Sequence, residues 1–507
     1  MKRSALLLEL NAFTWLSALK TKYDRRLTLA SVPDAEWRAV RARGFDAVWL
    51  MGVWKRSPKA RQHAFQFAEL KADFTRVLPG WKDEDVAGSA YAIGDYRLDP
   101  FLGAPSDLEK VRAAVNAAGL KLILDFVPNH VAFDHPWTLK HPDRLVRPTP
   151  TERRAHPERF FKPAGGAYLA HGRDPYFFPW TDTAQIDAFS PEARWAMRET
   201  LERIALVADG VRCDMAMLVL NDVFKKTWGP CVPAAPRTEF WEEVLGPVKE
   251  KHPRFTAIAE VYWNLGQKLL SLGFDYIYDK TLYDRFIEGD AARIREHLHD
   301  SAADQERQLR FVENHDEPRL FRAFGHEKGL AAQAAVMTLP GLKLVHQDQE
   351  KGYLDRVPVQ LRAFTGPDLT RVAGPSGGSA YAAGFVPDEL ARVLTFASDL
   401  VLSEGSWHLL TPHEAWPGGQ EHHTVLAWIW TRGHAFRLIV VNYGPQPAQA
   451  RLRLPEACLI PAEVELEDAP TGQVYRRSTQ ELRAEGLYVR LDGWKYHLFA
   501  VREGCPV

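Results

Sequence analysis

The segment VRCD at 211–214 ends an apolar run on a carboxylate, and so do AIAE at 257–260 and VENHD at 312–316. Roughly 50 residues separate each carboxylate from the next, too far for one helix or hairpin and suited to one or two strand-helix repeats each. Asp214, Glu260 and Asp316 therefore read as residues at the ends of successive strands, where a parallel barrel gathers its reacting groups. Breaking a glycosidic bond through an oxocarbenium-like transition state takes one carboxylic acid to protonate the leaving oxygen and one carboxylate to attack or stabilise C1. A third negative charge keeps that acid protonated until it is needed. Any one of the three, taken alone, reads as an ordinary solvated charge at a strand end; the pattern comes from all three together.

Working outward, eight short apolar runs alternate with amphipathic stretches up to about residue 350: Leu6 to Leu10, Ala47 to Met51, Leu120 to Val127, Gly210 to Met215, Thr256 to Val261, Tyr276 to Tyr278, Leu309 to Val312 and Leu342 to Val345. That alternation predicts an α/β fold, a (β/α)8 TIM barrel. Between the runs, Asp107 to Ala118 carries Leu108, Val111 and Val115 at i, i+3 and i+7, one apolar face for the barrel, with Gly119 as its cap.

Two stretches depart from the repeat. Residues 131–187 are too long for a βα loop and rich in Pro, His, Arg and aromatics, which predicts a small inserted domain after strand 3, overhanging the active face. Beyond a helix around Glu389 to Leu402 the pattern changes to period two, as in VLAWIW at 425–430 and RLIVVNY at 437–443. Residues 406–507 thus read as a separate C-terminal antiparallel β-sandwich, leaving 1–130 and 188–405 for the catalytic barrel. Gly366 to Gly384, which includes GPSGGS, reads as a mobile loop.

Composition narrows the partners. Hydrophobic residues make up 46% and charged residues 25% of the 507, as in a globular chain, and a formal net charge of −1 favours neither nucleic acid nor an anionic membrane. A neutral oligosaccharide or polysaccharide fits this balance. Cys213, Cys231, Cys458 and Cys505 have no CxxC spacing and are expected to be free thiols. The run SALLLELNAFTWL near the start is interrupted by Glu9 and Asn11, so it reads as the first strand rather than a signal peptide. With no apolar stretch of membrane-spanning length, a cytoplasmic location is expected. The sequence does not indicate an oligomeric state.

Taken together, DFVPNH at 125–130, VRCD at 211–214, AEVYW at 259–263 and ENHDEPR at 313–319 resemble the four signature segments of the alpha-amylase superfamily, glycoside hydrolase family 13. GFDAVWLMGV at 44–53 resembles its second-strand motif, and Tyr91, Asp95 and Tyr96 its tyrosine followed by Asp-Tyr. The resemblance covers nearly the whole chain, and six matches in order are specific where one would not be. It implies a nucleophile at Asp214, a general acid/base at Glu260 and a transition-state stabiliser at Asp316. It also implies a substrate-binding set of Tyr91 as stacking platform, Asp125 as support, and His130 and His315 as sugar-hydroxyl donors. Arg212 lies two residues before Asp214, so on a strand both side chains share a face and the guanidinium is expected to keep Asp214 ionised. Tyr262 and Trp263 are expected to help desolvate Glu260 and so raise its pKa.

Two departures limit the resemblance. Where many members carry Lys-His after the nucleophile, this chain has Met215, Ala216, Met217 and Leu218, so the acceptor side must differ. Asn129 matches a position that ligates structural calcium, yet the partner aspartate is replaced by Gln185; no cofactor is expected to be required, and a calcium site, if built, would need Asp182 or Asp187 beside Asn129. The leading expectation is an α-retaining hydrolase of α-1,4-glucans or maltooligosaccharides. A transglycosylase sharing the first step is the alternative, and a non-catalytic carbohydrate-binding protein the third reading.

Overall fold

The computed structural model describes residues 4–300, 302–364, 387–459 and 462–501. Eight parallel strands close into a barrel: β1 (Ser4–Asn11), β2 (Ala47–Met51), β3 (Lys121–Phe126), β4 (Gly210–Cys213), β5 (Thr256–Ala259), β6 (Tyr276–Tyr278), β7 (Gln308–Arg310) and β8 (Gly341–His346), with β1 and β8 paired to complete it. Each of the eight predicted runs contains or overlaps one of these strands. All eight residues of β1 are buried, as expected for a parallel strand covered by the barrel interior on one side and helices on the other.

Gly210 at the start of β4 illustrates how tightly neighbouring strands approach. A Cβ there would lie 2.4 Å from the Thr256 carbonyl oxygen and 2.8 Å from the Ile123 side chain, so only glycine fits between β3 and β5. The helix Asp107–Ala117 buries Leu108, Val111 and Val115 as its spacing predicts, and Gly119, at φ +80°, takes the left-handed turn after it.

The chain leaves the barrel twice at length. After β2, two helices (Pro58–Ala64 and Ala68–Val77) and a two-stranded ribbon (Trp54–Arg56 with Ile93–Leu98) intervene before the chain returns, an excursion the strand-helix reading did not single out. Its second helix packs into a small core of Phe74, Val77, Val86 and Leu361, while Ala60 of the first packs with Ala92 and Ala132. After β3, His130–Ala132 pairs antiparallel with Thr183–Gln185, so the long segment from 131 to 187 starts and finishes side by side at the barrel mouth.

The C-terminal strands form a six-stranded antiparallel sheet facing a three-stranded one (Pro412–His413, Ala448–Leu452, Leu487–Leu491). Period two sets what each face covers. Along Val425–Arg432, Ala427 and Ile429 turn toward the small sheet, whereas Leu426, Trp428 and Trp430 join the core of the barrel and its helices. Trp430 Nε1 donates to the Thr338 carbonyl at 2.8 Å and the Tyr443 hydroxyl to the Phe286 carbonyl at 2.7 Å. The expected sandwich is therefore present, and the central strands of its large sheet, Val425–Arg432 and Ala435–Asn442, are mostly buried on both faces, one of them against the barrel. The Gly366 to Gly384 segment lies outside the described residues, as does Cys505. No described helix is long and apolar enough to cross a membrane.

Candidate active site

Asp214 and Glu260 directly follow β4 and β5, Asp316 lies beyond β7, and Asp125 sits near the end of β3. Arg212, in register with Asp125 of β3 and Ile258 of β5, points into the barrel and is almost fully buried. Its Nη1 donates to Asp214 Oδ1 at 2.6 Å and its Nη2 to Glu260 Oε2 at 2.8 Å, so one guanidinium clamps both carboxylates. Its Nε donates to the Tyr278 hydroxyl at 3.2 Å. The Met215 amide donates to the same Glu260 oxygen at 2.7 Å, and the Tyr262 hydroxyl to Oε1 at 2.7 Å.

Burial raises both carboxyls, and the same guanidinium opposes it in each. Burial raises Glu260, Arg212 pulls it back, and the nearby charges of Asp214 and Asp316 push it up again, to about 7. Asp214 is also raised by burial, with Arg212 as the main opposing influence. The guanidinium thus favours ionised Asp214 as expected, but offsets burial only in part. Of the two aromatics expected to desolvate Glu260, Tyr262 acts through its hydroxyl, while Trp263 turns outward, 38% exposed, with its ring 5.0 Å from that of Tyr176.

Asp316 is the most open of the three, its side chain about half exposed. Partial burial would raise it, but His315 Nε2 lies 3.0 Å from its Oδ2 and holds it well below the usual carboxylate range. His315 is wedged by carboxylates on both edges: its Nδ1 lies 2.5 Å from Glu9 Oε1, and Tyr91 places its hydroxyl 2.6 Å from Nε2 and its ring in a near-parallel stack 5.4 Å away. Burial opposes protonation of this ring, yet Asp316 and Glu9 raise it to about 10. His130 is the contrast: buried without such partners, it is lowered to about 4 and is neutral at pH 7. Asp125 lies beneath the site, accepting from Trp49 Nε1 at 3.1 Å and the Gly52 amide at 2.8 Å, and burial raises it to about 6.

The structure thus gathers Asp214, Glu260, Asp316, Arg212, His315, Tyr91 and Asp125 around one mouth, with His130 at its edge, 5.2 Å from the Trp180 ring. The sequence reading missed Glu9, Trp49, Tyr278 and the Met215 amide. Of these, Glu9 carried a signal: it is a charge inside an otherwise apolar strand.

The alpha amylase catalytic-domain family model matches residues 40–371, more than half of the chain. The chain belongs to the alpha-amylase family. Alpha-amylase MalA of Haloarcula japonica is 27% identical over 285 residues, 54% of this chain and 38% of that protein. The chain therefore spans well under two thirds of that relative's length. A shorter likeness, 50% identity over 48 residues, is to the amino acid transporter heavy chain SLC3A1 of Rattus norvegicus and covers 9% of this chain and 7% of that protein. Among solved structures, the maltogenic alpha-amylase AmyB of Thermotoga neapolitana superposes with a TM-score of 0.65 at 18% identity, over 98% of both chains, which is a likeness of fold.

Two segments beside Glu260 have left-handed backbone. Met215 adopts φ +44°, and the residues after it form a buried 3-10 turn, Ala216–Val219, with the Ala216 carbonyl accepting from Trp241 Nε1 at 2.9 Å. These side chains pack inward and offer no cation to an acceptor sugar. Trp263 and Asn264 are also left-handed, at φ +59° and +58°, so three non-glycine residues in this conformation surround Glu260, at a cost of about 1–3 kcal/mol each. Met215, Tyr262, Trp263 and Phe177 line a hollow of about 640 Å³ beside Glu260.

At the expected calcium position, Gln185 Nε2 donates to the Asn129 backbone carbonyl at 2.7 Å, to Asn129 Oδ1 at 2.9 Å and to the Ile186 carbonyl at 3.1 Å. Two of these acceptors are backbone oxygens, which fixes the amide with its NH2 group inward. An N–H donor thus points where a hard cation would need an oxygen. Asp187 Oδ1 instead accepts from the Phe189 amide at 2.9 Å. No cluster of three or more His, Cys, Asp or Glu fit to hold a metal occurs among the described residues. The residues present do not fit a calcium ion bound through Asn129.

Proposed function

We propose that this chain is a retaining α-glycosidase acting on α-1,4-glucans or maltooligosaccharides by double displacement. The observation that carries the reading is the single guanidinium of Arg212 bridging Asp214 and Glu260, with Glu260 raised to about 7 and so suited to hold a proton. Such close bridging suits the roughly 5 to 5.5 Å carboxyl separation of a retaining site better than the roughly 6.5 to 9.5 Å of an inverting one.

In the first step Asp214 attacks C1 while Glu260 gives its proton to the glycosidic oxygen, and the leaving sugar departs as an alcohol. Esterified Asp214 has lost its charge, so the negative potential that held the proton on Glu260 weakens and the carboxylate form is favoured. Glu260 then takes a proton from water as the water oxygen attacks C1 and expels Asp214, returning the starting configuration. Asp316 and charged His315 grip the sugar hydroxyls through this exchange.

A second reading, transfer to a sugar acceptor, is favoured by the aromatic faces of Tyr262, Trp263 and Phe177, on which a sugar ring can stack, in a hollow that also carries polar groups such as Asp279 and Lys280. Product analysis on a panel of α-glucans and disaccharides, with and without added acceptor, tests both. Release of α-configured reducing sugar is expected, longer products in the presence of acceptor would favour transfer, and the absence of cleavage on every α-linked substrate would overturn the proposal.

Two further outcomes are expected. Tyr176 is 59% exposed and sets its ring against Trp263 at the rim, so its replacement by Ala should raise KM for longer oligosaccharides about 2- to 10-fold with Tm unchanged. A fall in Tm with unaltered chain-length preference would assign the ring to packing. Dialysis against a chelator should leave activity and Tm intact, because the Gln185 amide already satisfies Asn129. Loss of both, restored by calcium alone, would contradict this.

A further inference from the structure

Glu9 is a fully buried carboxylate on β1, in register with Trp49 of β2 and His346 of β8, at the floor of the barrel mouth. Its Oε1 meets His315 Nδ1, while its Oε2 has no hydrogen-bond partner among the described residues. Burying a carboxylate with one oxygen unpaired is costly, and here the cost is offset by the ion pair with His315.

We propose that Glu9 is a positioning residue that fixes the His315 ring from below, turning its Nε2 edge toward Tyr91 and Asp316 and so setting the strength of the grip on substrate hydroxyls. The inference rests on the glycosidase reading for its consequence, though not for its geometry. A hydrogen bond at Nδ1 settles which ring edge is left to face the site. With Nδ1–H committed to Glu9, a neutral ring could accept from the Tyr91 hydroxyl at 2.6 Å but would turn the same Nε2 lone pair to the Asp316 carboxylate at 3.0 Å, an unfavourable contact. A charged ring donates from both edges, one to each carboxylate. Glu9 thereby makes the imidazolium the stable form, and a charge-assisted donor at Nε2 is roughly twice as strong as a neutral one.

The other charged or titratable groups facing this pair are Tyr91, Arg212 of β4, Tyr278 of β6, His346 of β8, and the carboxylates Asp125 and Asp214. Arg212 works against the imidazolium, while Asp125, Asp214 and Asp316 work for it. Glu9 is distinguished from these in touching the ring on the edge away from substrate. His315 and His346 hold Glu9 itself below its usual range in spite of its burial, so it is anionic wherever the enzyme would work.

The test is an NMR titration of His315, in histidine-labelled wild-type protein and in Glu9→Gln, alongside kcat and KM against pH. In the wild type the ring should stay charged from pH 6 to pH 8. In Glu9→Gln, which keeps an acceptor but removes the charge, the His315 titration should move down toward the ordinary imidazole value of about 6.5. KM should then rise by roughly 10-fold at pH 8 and much less at pH 6, with kcat less affected. A wild-type ring that titrates near 6.5, or an unchanged titration in a folded Glu9→Gln, would overturn the proposal. Should Glu9→Gln not fold, the wild-type titration decides alone. Failure of the glycosidase reading would show instead as activity that survives Asp214→Asn, a result that leaves the His315 titration untouched.

Discussion

Asp214→Asn is expected to lose at least about 10³-fold in kcat/KM while staying folded, because the swap removes the attacking charge but scarcely changes volume. Its partner Arg212 is buried and charged, so breaking the ion pair works against stability; the side-chain amide oxygen that the substitution introduces still accepts from Nη1, and Glu260 still pairs with Nη2, which limits the loss. The stronger form of the experiment is Asp214→Gly with added azide. The small anion fills the vacated space, attacks C1 on the face the carboxylate used, and with no second displacement to follow, the glycosyl azide emerges with inverted configuration. Near-normal rates for Asp214→Asn on a substrate with a poor leaving group would remove Asp214 from the nucleophile role.

Glu260→Gln is expected to lose at least about 10³-fold on substrates that need protonation and to change the shape of the pH profile. In the wild type, kcat/KM should be bell-shaped. It rises on the acid side as Asp214 ionises and falls on the basic side as Glu260 loses its proton, which places that limb near the value of about 7 held by burial and by the charges of Asp214 and Asp316. The sign is fixed by the role: a general acid works only while protonated, so activity is lost as pH rises through its pKa. The residual activity of Glu260→Gln should lack the basic limb. A limb that persists there would identify another group as the acid.

Much of this architecture was legible in the residues. The eight barrel strands show as apolar runs because a parallel strand is buried on both faces, and the three carboxylates stand out because each closes such a run. The excursion after β2 was not singled out because its helices, Pro58–Ala64 and Ala68–Val77, are short and mostly exposed, and the small core of the second is shared with Leu361, far along the chain. Period two in the C-terminal strands revealed alternation but not that both faces would be covered, since Trp428 and Trp430 find their cover on the barrel helices.

Within the site, residue identities were readable and their electrical settings were not. Arg212 was expected beside Asp214, but its second bond to Glu260 depends on β4 and β5 lying in register. Tyr262 was taken for an apolar neighbour and acts through its hydroxyl. Glu9 was visible as a charge in SALLLELN, but its partner His315 lies 306 residues away, a contact that only the closed barrel creates.

Trapping the first intermediate is the sharpest experiment. An activated fluoro-sugar of α configuration that glycosylates the enzyme quickly and is released slowly should label the protein one-to-one, and peptide mass spectrometry should place the sugar on Asp214. The labelled protein should regain activity as the sugar is released. A label on any other residue, or turnover of the same sugar to β-configured product with no adduct formed, would contradict a double displacement through Asp214.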